Sequence, residues 1–329
     1  MNKILIIQTA FIGDVILATP IIEKLHAFYP EAKIDFLLRK GNEKLLANHP
    51  KINKVLIWNK NKRKTRNLIK TIKKVRASEY DAVINVQRFF ASGLICGLSR
   101  ANLKIGFTKN PLSFLFTKSY EHKIRGLHET NRNLSLIQEI TDKKYVSQKL
   151  YPREVDYASI AKYIDIPYIC IAPTSVWKTK EFPQVKWVEL ILSLDDRFII
   201  YLLGGPSDKI ACEEIKDHTE RKNVINLSGK LEFLASAALM KGAAMNYVND
   251  SAPMHMASAL NAPCNAVYCS TKPSFGFGPL SLDSKIIETN NELKCRPCGL
   301  HGKKECPLGH FDCGHTIQTK QFDKPEYQN

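Results

Sequence analysis

The stretch Asn249-Asp250-Ser251-Ala252-Pro253-Met254-His255 has the residue types and order of an anion site. It follows an apolar run, Ala243 to Val248, that reads as a buried strand, and it opens an apolar segment, Met254 to Leu260, that reads as a helix. At such a strand-to-helix turn, free backbone N–H groups and the positive end of the helix dipole converge on one point. Asp250 or Ser251 can cap the helix, and Pro253 fits its first turn. A ligand carrying a pyrophosphate is the expected occupant. The competing reading is an ordinary capped helix start with an incidental His255.

Two more turns in the same half of the chain suit phosphate or ribose. The apolar run Tyr168 to Ala172 ends in Pro173-Thr174-Ser175-Val176-Trp177-Lys178-Thr179-Lys180, where hydroxyls can donate to phosphate oxygens and ammonium groups can neutralise them. Phe198 to Leu203 ends in Gly204-Gly205-Pro206-Ser207-Asp208, from which Ser207 or Asp208 can reach a ribose hydroxyl. Each alone reads as a surface loop, but their coincidence at successive strand ends places a nucleotide on the C-terminal half. In the N-terminal half, Lys3 to Thr9 is a strand, followed by Ala10-Phe11-Ile12-Gly13-Asp14. Gly13 lets that turn pass close to a ligand, and Asp14 lies at the strand's carboxyl end; a simple N-cap role is the alternative for Asp14.

These turns need a frame that presents strand ends, and the pattern supplies one. Strands at residues 34–38, 54–58, 81–86 and 104–107 alternate with helical stretches at 43–48, 65–77 and 89–99, and a helix begins at His128. Thr19-Pro20 falls inside the first helical pattern and should kink or restart it. The polar stretch 141–165 lacks periodicity and reads as a linker, after which strands and helices alternate again. The fold class is therefore α/β, with parallel sheets covered by helices. At 329 residues the chain has room for two domains.

Lys and Arg outnumber acids 48 to 32, a net charge of +16 that suggests an anionic partner. Nucleic acid is not expected, because the aromatics do not interleave with the basic runs and no recognition motif is present. No apolar run approaches the ~20 residues that span a bilayer, and no signal-peptide pattern begins the chain, so a cytoplasmic protein is expected.

With these residues in view, the sequence resembles glycosyltransferase family 9, the ADP-heptose:lipopolysaccharide heptosyltransferases, from Lys3 to about Cys313. The resemblance is carried by Gly13-Asp14-Val15 with Thr19-Pro20, by Lys180-Glu181-Phe182-Pro183 with Trp187, by Gly204-Gly205, by Asn226-Leu227-Ser228-Gly229 and by residues 249–255. It implies the GT-B architecture, two Rossmann-like domains facing each other across a cleft. Residues 1–165, linker included, would bind the acceptor; residues 166–329 would bind the nucleotide sugar and carry a Cys-rich end.

The family's roles, carried onto this sequence, make Asp14 the general base, next to Gly13 on the acceptor side, and Lys180 the cation that stabilises the leaving diphosphate. Thr174, Ser175, Asp208, Asp250, Ser251, Ala252 and His255 would bind the donor, with backbone N–H groups of residues 251–253 on the phosphate. The reaction would be an inverting transfer from an ADP-sugar, with no cofactor and no catalytic metal. The acceptor would be a lipid-anchored anionic glycan, and the basic excess would hold the enzyme on the inner face of the cytoplasmic membrane. A sugar-nucleotide or glycan-binding protein without catalysis is the alternative. Two departures stand out: Ala252 replaces a glycine common in the family, and Ala10-Phe11-Ile12 replaces a more usual small polar and basic set.

Five of the nine cysteines, Cys96, Cys170, Cys212, Cys264 and Cys269, read as separate reduced thiols. Cys295, Cys298, Cys306 and Cys313 cluster in a Gly-, Pro- and His-rich segment that could enclose a structural zinc, or remain free thiols in a loop.

Overall fold

Strand β1, Lys3–Ile7, carries consecutive Ile and Leu residues with no solvent exposure, as a central strand covered on both faces requires. In the computed structural model, which describes residues 1–327, it lies at the middle of a six-stranded sheet of order β3-β2-β1-β4-β5-β6. The unit containing it spans Met1–Tyr151. Its elements are β1, α1 (Ile12–Phe28), β2 (Lys33–Arg39), α2 (Glu43–Leu46), β3 (Lys54–Trp58), α3 (Lys64–Arg76), β4 (Ala82–Asn85), α4 (Phe90–Gly97), β5 (Leu103–Phe107), β6 (Lys118–Tyr120) and α5 (Glu129–Ser135).

The second unit, Pro152–Asn329, opens with α6 (Glu154–Ile160). It continues through β7 (Tyr168–Ala172), α7 (Gln184–Leu192), β8 (Ile199–Leu202), α8 (Lys209–Thr219), β9 (Val224–Asn226) and α9 (Phe233–Gly242). The remaining elements are β10 (Met245–Asn249), α10 (Ala252–Ala259), β11 (Cys264–Tyr268), β12 (Ser284–Glu288) and α11 (Asp312–His315). Its sheet order is β12-β11-β10-β7-β8-β9, and every strand pairing in both units is parallel. Read from β9, this is the order of the first sheet. In each, the chain reverses beside its first strand, between β1 and β4 and between β7 and β10. Ligands of open α/β sheets bind at such switch points.

Three features differ from the expectations. Residues 152–165 are not a bare linker: α6 lies there and packs on α9. Its Val155 and Tyr157 are exposed and only Asp156 and Ile160 are buried, so it shows no apolar periodicity in sequence. Pro20 does not restart the helix, since α1 runs on from Ile12 to Phe28. It removes the N–H that would bond the Ile16 carbonyl, and the Thr19 hydroxyl donates to that carbonyl instead, at 2.7 Å. The Cys-rich end is partly core: Cys313, Ile317 and Phe322 are buried with Phe182, Trp187 and Ile191 of the second unit.

Candidate active site

In the first unit the chain leaves β1 through Gln8 to Phe11 and enters α1. The turn is held from three neighbouring strands: the Thr9 hydroxyl donates to Gln87 Oε1 at 2.5 Å, Lys60 Nζ donates to the Thr9 carbonyl at 2.7 Å, and Asn42 Nδ2 donates to the Ala10 carbonyl at 3.0 Å. Phe11 stands at the N-cap of α1, and its side chain has no acceptor to offer the helix. Asp14, at the third helical position, reaches back so that its Oδ2 accepts the Phe11 N–H at 3.1 Å. The capping reading of Asp14 therefore holds in part, and it fixes the carboxylate at the switch point. Gly13 is the second residue of the helix.

Burial raises the Asp14 pKa to about 6, helped by the negative charge of Glu129, against the pull of the Phe11 N–H, its own N–H and Arg88. Asp14 is thus a stronger base than an ordinary aspartate. On the same turn, at Phe11 and Thr9, lie cations that the sequence presents as ordinary surface charge. Arg39 stacks its guanidinium over the Phe11 ring, 4.7 Å from the centroid. Lys60 lies 4.5 Å from the centre of the Trp58 ring, and burial, with Arg39 and Lys64 nearby, lowers its pKa to about 8. The available sequence signal was position: Arg39 ends β2, and Lys60 comes just after β3.

In the second unit, Asn249 ends β10 with no solvent exposure, and its amide ties the neighbouring loop to the strand. Its Nδ2 donates to the Pro173 carbonyl at 2.8 Å, and its Oδ1 accepts the Phe182 N–H at 2.8 Å. The loop between these points carries Thr174, Ser175 and Lys180. Glu181 steadies it further by accepting the Ser175 N–H at 3.0 Å. Phe182 packs edge-on against buried Trp187, with centroids 5.1 Å apart. Asn249 and Glu181 belong to quoted motifs, but their bracing roles were not visible in sequence.

Lys180 Nζ meets Asp250 Oδ2 at 2.7 Å and the Asp250 carbonyl at 3.3 Å, and the Thr271 hydroxyl donates to the same carboxylate oxygen at 2.7 Å. Asp250 is thus engaged by Lys180 and Thr271 and does not cap α10. An ammonium has three N–H donors, so one remains to Lys180 for an arriving anion. Ser251 occupies the N-cap position without a side-chain bond to the helix. Pro253 has no N–H, and the Met254 N–H bonds to the Ser251 carbonyl at 3.1 Å. The backbone donors that the turn can offer are therefore those of Ser251 and Ala252, which corrects the expectation for residues 251–253. His255 is buried in the first turn of α10. Asp208 is drawn into its own turn, where its Oδ2 accepts the Gly205 N–H at 2.7 Å.

The Cys-rich segment lies against this loop. Thr179 is buried and its Oγ1 accepts the Lys303 N–H at 2.8 Å. A Cβ on Gly302 would come within 2.5 Å of the Trp177 Cβ and 2.8 Å of the Lys180 Cγ, so only glycine fits there. Arg296 donates to the Cys269 and Thr271 carbonyls at 2.6 and 2.8 Å, next to the end of β11. Cys295 Sγ lies 3.9 Å from His310 Nε2, but among the described residues no three His, Cys, Asp or Glu side chains are grouped to hold a metal ion. A cavity of 440 Å³ separates this segment from α7 and α8, lined in part by Phe182, Trp187, Ile215 and Phe311. Of the expected donor residues it includes only Thr174, so the donor assignment rests on the Lys180 and Asp250 turn.

The profile of glycosyltransferase family 9 (heptosyltransferase) matches residues 68–310. Lipopolysaccharide heptosyltransferase 3 of Escherichia coli K12 is 32% identical over 283 residues, 80% of this chain and 81% of that protein. Among solved structures, E. coli ADP-heptose lps heptosyltransferase II superposes with a TM-score of 0.78 at 21% identity, covering 90% of this chain and 95% of that one. E. coli heptosyltransferase WaaC with ADP gives 0.71 at 20% identity, covering 86% and 92%. These likenesses place the two six-stranded units in the GT-B fold class. With a profile match over most of its length and a relative at 32% identity, the chain belongs to glycosyltransferase family 9, the heptosyltransferases.

Proposed function

We propose that this enzyme transfers a heptose or related sugar from an ADP-sugar to a lipopolysaccharide core or related lipid-linked glycan, inverting the anomeric carbon. The observation that carries this reading is what each unit holds at its own switch point: the first fixes a carboxylate of raised proton affinity there, and the second fixes a lysine beside a helix start. In the reaction, an acceptor hydroxyl attacks the anomeric carbon from the face opposite the diphosphate. The new C–O bond forms as the bond to the diphosphate oxygen breaks, and the hydroxyl proton passes to Asp14. Lys180 and the N–H groups of Ser251 and Ala252 receive the negative charge that develops on ADP. Thr174 and Ser175 complete the donor turn. The adenine preference is taken from relatives whose names specify ADP or ADP-heptose.

The distribution of charge supports the reading of the acceptor and the place of action. Residues 1–151 hold 28 Lys and Arg against 11 acids, whereas residues 152–329 hold 20 against 21. The whole basic excess therefore lies on the acceptor unit. Exposed Lys70, Lys73 and Lys74 of α3 and the cluster of Arg39, Lys60 and Lys64 suit an anionic glycan at the inner face of the cytoplasmic membrane. Among the described residues no helix is long and apolar enough to cross a membrane, so attachment would be peripheral.

The donor assignment is tested by calorimetric titration with ADP, UDP and GDP, for the wild type and Lys180→Ala. Selective ADP binding that weakens in the variant is expected. Absence of binding to all three, or equal ADP affinity in the variant, would overturn it and favour a binding protein of another specificity.

A further inference from the structure

His122, Glu129 and Arg132 form a buried ionisable cluster in the first unit that the transfer reaction as described does not use. Glu129 Oε2 meets Arg132 Nη1 at 2.6 Å and His122 Nε2 at 3.3 Å, and Arg132 Nη2 also donates to the Ile124 carbonyl at 2.6 Å. Glu129 is the first residue of α5, which packs on α1. Asn133 Nδ2 donates to the Leu17 carbonyl at 3.0 Å, and farther along, the Tyr29 hydroxyl donates to the Ile140 carbonyl at 2.6 Å. Ile140 lies five residues past the end of α5 and Tyr29 just past α1, so the chain from α5 onward follows α1 toward its C-terminal end. One turn back from Asn133 is Glu129, and about one turn back from Leu17 is Asp14.

We propose that Glu129 is a positioning residue for sugar transfer: clasped by Arg132 and His122 at the start of α5, which packs on α1, its carboxylate acts on the transfer through Asp14. The inference rests on Asp14 being the base. The two carboxylates have divided roles. Burial works against the charge on Glu129, but the His122 and Arg132 contacts outweigh it and keep its pKa below the ordinary glutamate value. Among the described residues no such cation is bonded to Asp14, and burial and the neighbouring charge raise its proton affinity. The opposing group is Arg88, from the loop after β4. Arg39 over Phe11, Lys60 on the Thr9 carbonyl and His128 at the N-cap of α5 are the other charged or titratable groups around the turn. A base whose conjugate acid titrates near 6 is still mainly ionised at neutral pH and accepts a proton more readily than an ordinary aspartate.

The test is a carboxyl-carbon NMR titration of Asp14 in the full chain, with kcat measured against pH in parallel, on the wild type and Glu129→Gln. The paired variant Glu129→Gln/Arg132→Gln accompanies them, because it leaves no buried guanidinium without its carboxylate. Asp14 should titrate near 6 in the wild type. It should titrate roughly half a unit lower in both variants, raising its ionised fraction at pH 5 about two- to threefold and moving the acid limb of kcat with it. Glu129→Asp should restore the wild-type titration. An ordinary aspartate titration in the wild type, or an unmoved one in a folded variant, would overturn the inference while leaving Asp14 as the base. Undiminished kcat in Asp14→Asn would instead remove the base assignment itself.

Discussion

The two units share one sheet order yet place side chains of opposite charge at their switch points. The first unit carries the whole basic excess of the chain and places a carboxylate, Asp14, at its turn. The second is nearly neutral and places a lysine, Lys180, at its own. In the first, the helix start is occupied from within: Asp14 accepts the Phe11 N–H, and the surrounding cations come from other strands. In the second, Ser251 leaves the start of α10 without a side-chain cap, and Asp250 turns away to Lys180 and Thr271. The two helix starts stand on opposite sides of the switch point: α1 follows β1, whereas α10 follows β10, the counterpart of β4. On the proposed reading, the residues at these turns set whether the position serves as a base or as an anion site.

Single substitutions should separate these roles if the comparison is right. Asp14→Asn should lower kcat by about 10² to 10⁴, the usual worth of a general base, while leaving ADP affinity unchanged. Lys180→Ala should lower kcat by about 10² to 10³ and also weaken ADP, because its charge is lost in both ground and transition states. Steady-state kinetics with calorimetry on the same preparations reads both. An Asp14→Asn variant that lost ADP binding would break the division of labour between the units.

Asp250→Asn probes the second turn by itself. Lys180 and Asp250 are 15% and 6% exposed, so the variant leaves a mostly buried ammonium without its carboxylate. A loss of roughly 3 kcal/mol in denaturant unfolding is expected. A change under about 0.5 kcal/mol would show that the ammonium reaches water freely and that the turn is not held by this pair.

Most of the fold was legible because buried parallel strands read as continuous apolar runs: the runs within residues 3–9 and at 168–172 are strands as expected. Strands β6 and β12 were not, since Lys118–Tyr120 and Ser284–Glu288 lie at sheet edges and bury little. Within the sites, the turn positions of Asp14, Lys180 and Asp250 could be placed from the strand-then-helix order. The groups that tune or brace them could not. Glu129 lies 115 positions from Asp14, Thr271 lies 21 from Asp250, and Gly302 lies 122 from Lys180. Sequence periodicity reports which face is buried, whereas these pairings depend on how helices and loops pack over the sheet.

The smallest expected effect is the one that contrasts the two aspartates most directly. Folding carries Asp14 from an ordinary aspartate pKa of roughly 3.9 to about 6. Between those values the native chain binds more protons than the unfolded chain, so this group makes the protein less stable as pH rises from 4 toward 6. Above 6 the penalty is complete. Asp14→Asn removes it, and the variant should be more stable than the wild type at pH 7 by on the order of 1 kcal/mol, after allowance for the partial exposure of the carboxylate. The gain should vanish near pH 4, where the unfolded aspartate also begins to take its proton. Asp250→Asn should move stability the other way at neutral pH, because there the lost charge is the one that its lysine needs. Denaturant unfolding of both variants at pH 4 and pH 7 reads the sign. A destabilised Asp14→Asn at pH 7 would mean that the carboxylate is retained for the helix start it caps, and the base assignment would lose its electrostatic support.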